Sequence, residues 1–157
     1  MIHLILATHA GLGTAMLKTA EMISGGTDGI RSIELYPGGS PDDIRHGLEK
    51  ELAGLAEGDH LLCLVDIPGG SPAHAAVTLS VENPSLQVVS GVNLGMLTEA
   101  ILLRDCMDIQ DLKTHLVEAA VMTIKDMNAL LQEKAGRHTG KNKKRRDYSE
   151  FFQCLDR

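Results

Sequence analysis

The chain has 157 residues, of which 43% are hydrophobic and 3% aromatic, with no Trp and a formal net charge of -6. This length suits one domain with an aliphatic core, and so few rings leave little to stack on nucleic-acid bases. Residues 1–136 carry 8 basic and 18 acidic side chains while residues 137–157 carry 7 and 3, an acidic body that argues against nucleic acid and reads either as a solvated face or as a match for a positive partner.

The segment 2–8 (IHLILAT) is an apolar run that reads as a buried strand. Residues 11–24 come next with Leu12, Ala15, Met16, Ala20 and Ile23 at helical spacing, and Gly25-Gly26 ends that helix. A second strand covers 30–36. An amphipathic helix covers 40–56, with Ile44, Leu48, Leu52 and Leu55 as its stripe. A very apolar strand at 60–66 precedes a helix at 72–81, a short strand at 86–91 and a helix at 93–105. The segment 109–135 opens as a helix. Four alternations of strand and helix predict parallel strands joined by right-handed crossovers, hence an α/β three-layer sandwich around a doubly wound sheet. Sites in such sheets lie at the carboxyl ends of the strands, near the point where strand order reverses.

Two of those strand-to-helix turns share the sequence PGGSP, at 37–41 and 68–72. Glycines permit the turn, Ser suits a helix cap and Pro fits the first helical position. The flanks differ too much for an internal repeat. Asp42-Asp43 come after the first copy, so that helix start carries its own anions and would repel a phosphate. Ala73-His74-Ala75 come after the second, leaving its helix start open to an external anion.

His9 ends the first strand beside the turn AGLG, within reach of a nucleophile's role, and Asp66 ends the third as either a turn cap or a site carboxylate. Strands one and three are natural neighbours in a doubly wound sheet, which would bring the two together. Asp66 would then fix the imidazole tautomer so that the other ring nitrogen attacks. The N–H groups of Gly11 to Gly13 and of Gly70-Ser71 are candidates to hold phosphoryl oxygens. This is phosphoryl transfer by positioning, with no metal and no cofactor called for.

The stretches ILATHAGLGTAMLKTAEMISG, LLCLVDIPGGSPAHAA and VVSGVNLGMLTEAI resemble the IIA domain of the mannose family of the sugar phosphotransferase system (the mannose, fructose and sorbose type), in the same order and spacing, from residue 1 to about residue 133. The resemblance implies that His9 is the phosphorylated histidine, that Asp66 pairs with its ring, and that Gly69, Gly70 and Ser71 line the phosphate pocket. It implies a phosphotransferase that takes the group from the carrier HPr and passes it to a IIB domain, coupled to membrane IIC and IID subunits. It also implies a homodimer in which an antiparallel last strand, here 123–131, is exchanged between subunits, although periodicity alone would continue the helix through that segment. Ala10 stands where the family usually has Gly after the active histidine, and Gly95 where it usually has Pro in N-L-P-M. A domain at 1–135 and a basic, flexible tail at 136–157 are expected, with any IIB on a separate chain.

The cysteines, Cys63, Cys106 and Cys154, are odd in number, form no C-x-x-C pair and suit a reducing compartment. No signal peptide precedes the first strand and no apolar stretch reaches the roughly 18 residues that span a bilayer, so a cytoplasmic location is expected. GLGTAM lacks the third glycine of a dinucleotide fingerprint, and no histidine pair has metal-ligand spacing. The alternatives are the phosphocarrier subunit of dihydroxyacetone kinase, which carries DLGSA where this chain has DIPGGSP, and a regulatory binding protein of the same fold.

Overall fold

The computed structural model describes residues 1–138. Four parallel strands, β1 (Ile2–His9), β2 (Arg31–Leu35), β3 (His60–Val65) and β4 (Leu86–Ser90), form one sheet in the order β2-β1-β3-β4. Helices α1 (Leu12–Ser24), α2 (Pro41–Leu52), α3 (Ser71–Glu82), α4 (Leu94–Leu103), α5 (Ile109–Met122) and α6 (Met127–His138) connect or extend them. Strand order reverses between β1 and β3, so the carboxyl ends of these two strands form the switch point expected to carry a site.

Alternation along β1 builds the three layers. Leu4 and Leu6 face α1, α4 and α5 together with Leu62, Leu64, Met16, Leu97 and Leu112. Ile5 and Ala7 face α2 and α3 together with Cys63, Val65, Ile44, Leu48 and Leu79. Both faces of β1 and β3 are thus buried, which is why these strands read as unbroken apolar runs. Each such Leu or Ile contributes about 2 kcal/mol by leaving water. Burial pushes the Cys63 thiol up to about 12, so it packs as a small hydrophobe and is inert as a nucleophile. At the amino-terminal pole, Asp59 accepts from the Met1 amino group at 2.6 Å and sits 2.9 Å from His3 Nε2, which holds its carboxyl down at about 2.

The described residues divide into two units, residues 1–123 and residues 124–138. In the second unit the expected exchanged strand at 123–131 is corrected. Asp126 Oδ1 accepts from the N–H groups of Asn128 and Ala129 at 3.0 Å, an N-cap that starts α6 at Met127. A strand there would have to find its hydrogen bonds on another sheet edge, whereas the helix satisfies them within the segment. The segment is helical, as periodicity implies, except that the helix stops at Met122 and restarts. No antiparallel strand occurs among the described residues. The basic run at 141–146 and Cys154 lie outside them. No helix among the described residues is long and apolar enough to cross a membrane.

Candidate active site

β1 and β3 run side by side in register from Ile2↔His60 to Ala7↔Val65, so His9 and Asp66 leave the sheet together. Asp66 Oδ2 lies 2.9 Å from His9 Nδ1 and accepts the His9 backbone N–H at 2.8 Å, while Oδ1 accepts the Ile67 N–H at 2.9 Å. The carboxylate is therefore both turn cap and ring partner. Burial by itself would raise the Asp66 carboxyl, but the hydrogen bonds from the His9 N–H, the His9 ring and the Ile67 N–H outweigh it and hold the group below its ordinary value. An ionised carboxylate only accepts, so Nδ1 carries the proton. The neutral ring then presents its lone pair at Nε2, which makes no hydrogen bond among the described residues. The His9 side chain is 44% exposed, enough for a reactant to reach it.

A cavity of about 370 Å³ opens here, lined by His9, Ala10, Leu35, Tyr36, Pro37, Gly38, Gly39 and Ser71. Of the residues expected around a phosphate, Gly11, Gly69, Gly70 and Ser71, only Ser71 is among the residues that line it. Gly69 serves the turn, with φ of 77°. Gly70 serves the approach: a Cβ on it would stand 2.9 Å from His9 Cε1 and 2.8 Å from Ile67 Cγ2. Gly70 is also the N-cap of α3, which has no side-chain cap and no acid in its first turn. The N–H groups of Ser71 and Ala73 make no hydrogen bond among the described residues.

The start of α1 is different. Its N-cap is Gly11, and the Gly11 and Leu12 N–H groups are unengaged among the described residues. The Gly13 N–H, expected to help hold phosphoryl oxygens, instead donates to Thr8 Oγ1 at 2.9 Å. A Cβ on Gly13 would overlap Ser32 Oγ, so α1 sits too close against the sheet for that amide to face a ligand. The next N–H, of Thr14, donates to Glu34 Oε1 at 2.9 Å. Residues Tyr36 to Gly39 belong to the first PGGSP turn, whose acidic helix start points away from phosphate binding, yet they wall the His9 cavity. Their signal lies in the topology, since β2 is the other neighbour of β1 and its carboxyl end must lie beside His9.

A family model described as the PTS system fructose IIA component, EIIA-man, matches residues 3–117. The chain belongs to the mannose-type IIA family of the sugar phosphotransferase system. It is 35% identical over 104 residues to the mannose-specific EIIAB component of Escherichia coli K12, covering 66% of this chain and 32% of that one; the chain spans about a third of that relative's length. It is 30% identical over 116 residues to the sorbose-specific EIIA component of Klebsiella pneumoniae, covering 74% of this chain and 84% of that one. Among solved structures, a phosphotransferase system component EIIA from Streptococcus agalactiae matches with a TM-score of 0.76 at 30% identity, over 82% of this chain and 99% of that one.

Within this IIA chain the two positions at which the resemblance leads one to expect Gly and Pro have structural meaning. Ala10 has φ of 47° and is the one non-glycine residue with positive φ among those described. Glycine takes that conformation freely, whereas an L side chain is strained in it by about 1–2 kcal/mol. Its N–H donates to Leu35 O at 2.9 Å, which holds the turn in place despite that strain. At the other position, a Cβ on Gly95 would overlap Thr123 Cγ2, so the start of α4 closes on the end of α5 only because no side chain intervenes.

Proposed function

We propose that this IIA chain is a phosphocarrier that accepts a phosphoryl group on His9 Nε2 from phospho-HPr and passes it to a histidine of a IIB domain, driving sugar uptake. The observation that carries this reading is the contact between His9 Nδ1 and Asp66 Oδ2 at 2.9 Å beside an open helix start. The step balances without a metal. The phosphorus–nitrogen bond of the donor breaks and its electron pair returns to the donor imidazole. A new phosphorus–nitrogen bond forms with the His9 Nε2 lone pair. Asp66 remains ionised, offsets the positive charge that develops on the ring and holds the tautomer. On this reading the unengaged Ser71 and Ala73 N–H groups would meet phosphoryl oxygens, favoured by the positive end of α3. Onward transfer runs the same exchange in reverse with IIB as acceptor.

The family also suggests a homodimer, with membrane subunits reached through IIB, and a cytoplasmic setting. The test is intact mass after incubation with phosphoenolpyruvate, Enzyme I and HPr, for wild type and His9→Ala, before and after mild acid. A single acid-labile phosphoryl adduct on wild type alone is the expected result. No adduct on folded protein in the presence of phosphorylated HPr would refute the reading and favour a regulatory binding role.

A further inference from the structure

Two helices start at the carboxyl ends of β1 and β3, both with unengaged N–H groups among the described residues, but only one of them has a carboxylate at its first turn. The α3 start has free N–H groups and no acid. The α1 start already holds an anion. Glu34 is the register partner of Thr8 across β2 and β1, and this pairing carries its carboxylate to the first turn of α1. Oε1 accepts the Thr14 N–H at 2.9 Å, and Oε2 accepts the Tyr36 hydroxyl at 2.8 Å. Tyr36 in turn walls the His9 cavity, and its hydroxyl lies 3.7 Å from where a Cβ on Gly11 would be. A fixed negative charge is thus tied, through the Tyr36 hydroxyl, to the wall of the cavity.

We infer that Glu34 is a positioning residue, whose carboxylate, locked by Tyr36 at the start of α1, turns a phosphoryl group on His9 toward α3 and keeps it ready to leave. This rests on the phosphocarrier reading. Two negative groups near one cavity repel, so the phosphorylated state lies higher in free energy than it would beside a neutral wall. Burial pulls the Glu34 carboxyl upward, but the hydrogen bonds from the Thr14 N–H and the Tyr36 hydroxyl outweigh it, and the group stays ionised at neutral pH. A phosphoryl group beside two helix starts free of acid would be bound more tightly, which suits storage; one beside a start that already carries a carboxylate suits a relay that must give the group up.

The test is the equilibrium distribution of phosphoryl between HPr and this protein, measured by intact mass at low salt. Glu34→Gln keeps an acceptor for the Thr14 N–H and removes the charge. It is expected to shift the equilibrium toward the phosphorylated protein by about three- to tenfold, and the shift should shrink at 1 M salt, where charges act over only about 3 Å. Glu57→Gln, the same charge change at an exposed position, should leave the equilibrium within about 1.5-fold of wild type. If Glu34→Gln folds poorly, Tyr36→Phe frees the carboxylate from the cavity wall and should shift the equilibrium about twofold in the same direction. A folded Glu34→Gln or Tyr36→Phe protein with the wild-type equilibrium overturns the inference. Wild type that takes up no phosphoryl group at all overturns the phosphocarrier reading instead.

Discussion

The two PGGSP turns are alike for three residues and then part. In both, the second glycine donates its N–H to the carbonyl of the residue before the proline, Gly39 to Tyr36 O at 2.9 Å and Gly70 to Ile67 O at 3.3 Å. In both, the first glycine has positive φ, 89° at Gly38 and 77° at Gly69, as a turn with Pro in its second position and Gly in its third requires. The next residue divides them. Ser40 is the N-cap of α2, its side chain accepting from Asp42 N while Asp43 accepts from Ser40 N. In the second copy the helix starts one residue earlier, with Gly70 as N-cap and Ser71 already inside. One copy closes its helix with its own side chains, and the other leaves its helix open beside a histidine. Identical letters therefore do not make identical sites; the difference lies in the residues that come after them and in the strand end they adjoin.

The largest contrast is expected at the glycines. Gly70→Ala puts a methyl against the His9 ring and should lower the rate of phosphoryl acceptance by about 10²-fold, since a shift near 1 Å suffices for that. Gly39→Ala meets Leu35 Cδ1 at 3.0 Å and Tyr36 O at 3.1 Å, and should instead cost about 1–2 kcal/mol of stability, read by urea unfolding. Equal effects of the two on transfer would mean that the open and closed turns are not functionally distinct.

A smaller effect is expected from giving the second helix an acid like those of the first. His74 is exposed on the first turn of α3, and His74→Asp should slow phosphoryl acceptance about three- to tenfold while stabilising the fold by about 0.5 kcal/mol through the helix dipole. An unchanged rate would show that the α3 start does not hold the phosphoryl group. The serines should separate cleanly: Ser40→Ala loses a cap and about 1 kcal/mol, whereas Ser71→Ala, which breaks no cap, should leave stability unchanged and slow transfer. The smallest effect is expected at Ala10. Ala10→Gly should raise stability by about 0.5–1 kcal/mol in denaturant titrations, because the relief of positive φ exceeds the added chain entropy. A loss of stability there would show that the turn after His9 is unstrained.

The fold is legible in the sequence where burial on both faces forces an unbroken apolar strand, as in 2–8 and 60–65, and the β1–β3 pairing that joins His9 to Asp66 comes from topology. The open and closed helix starts are legible from Asp42-Asp43 against Ala73-His74. The occupation of the α1 start is not. It depends on Thr8 facing Glu34 across two strands, a register that no local pattern encodes. The break at 123–126 is hidden for a related reason: apolar spacing continues through it, and the stop is set by Thr123 folding its hydroxyl back onto Ala120 O at 2.7 Å while Asp126 caps a new helix.

The close approach of Gly95 and Thr123 has an evolutionary consequence. Any side chain at 95 collides with the Thr123 methyl, and Thr123→Ser removes that methyl. The two positions are therefore epistatic, and the order of change matters. A lineage that shortens residue 123 first can then explore Ala at 95 through folded intermediates. A lineage that changes residue 95 first must pass through a strained protein, so ancestry leaves a direction in this pair that neither position carries alone.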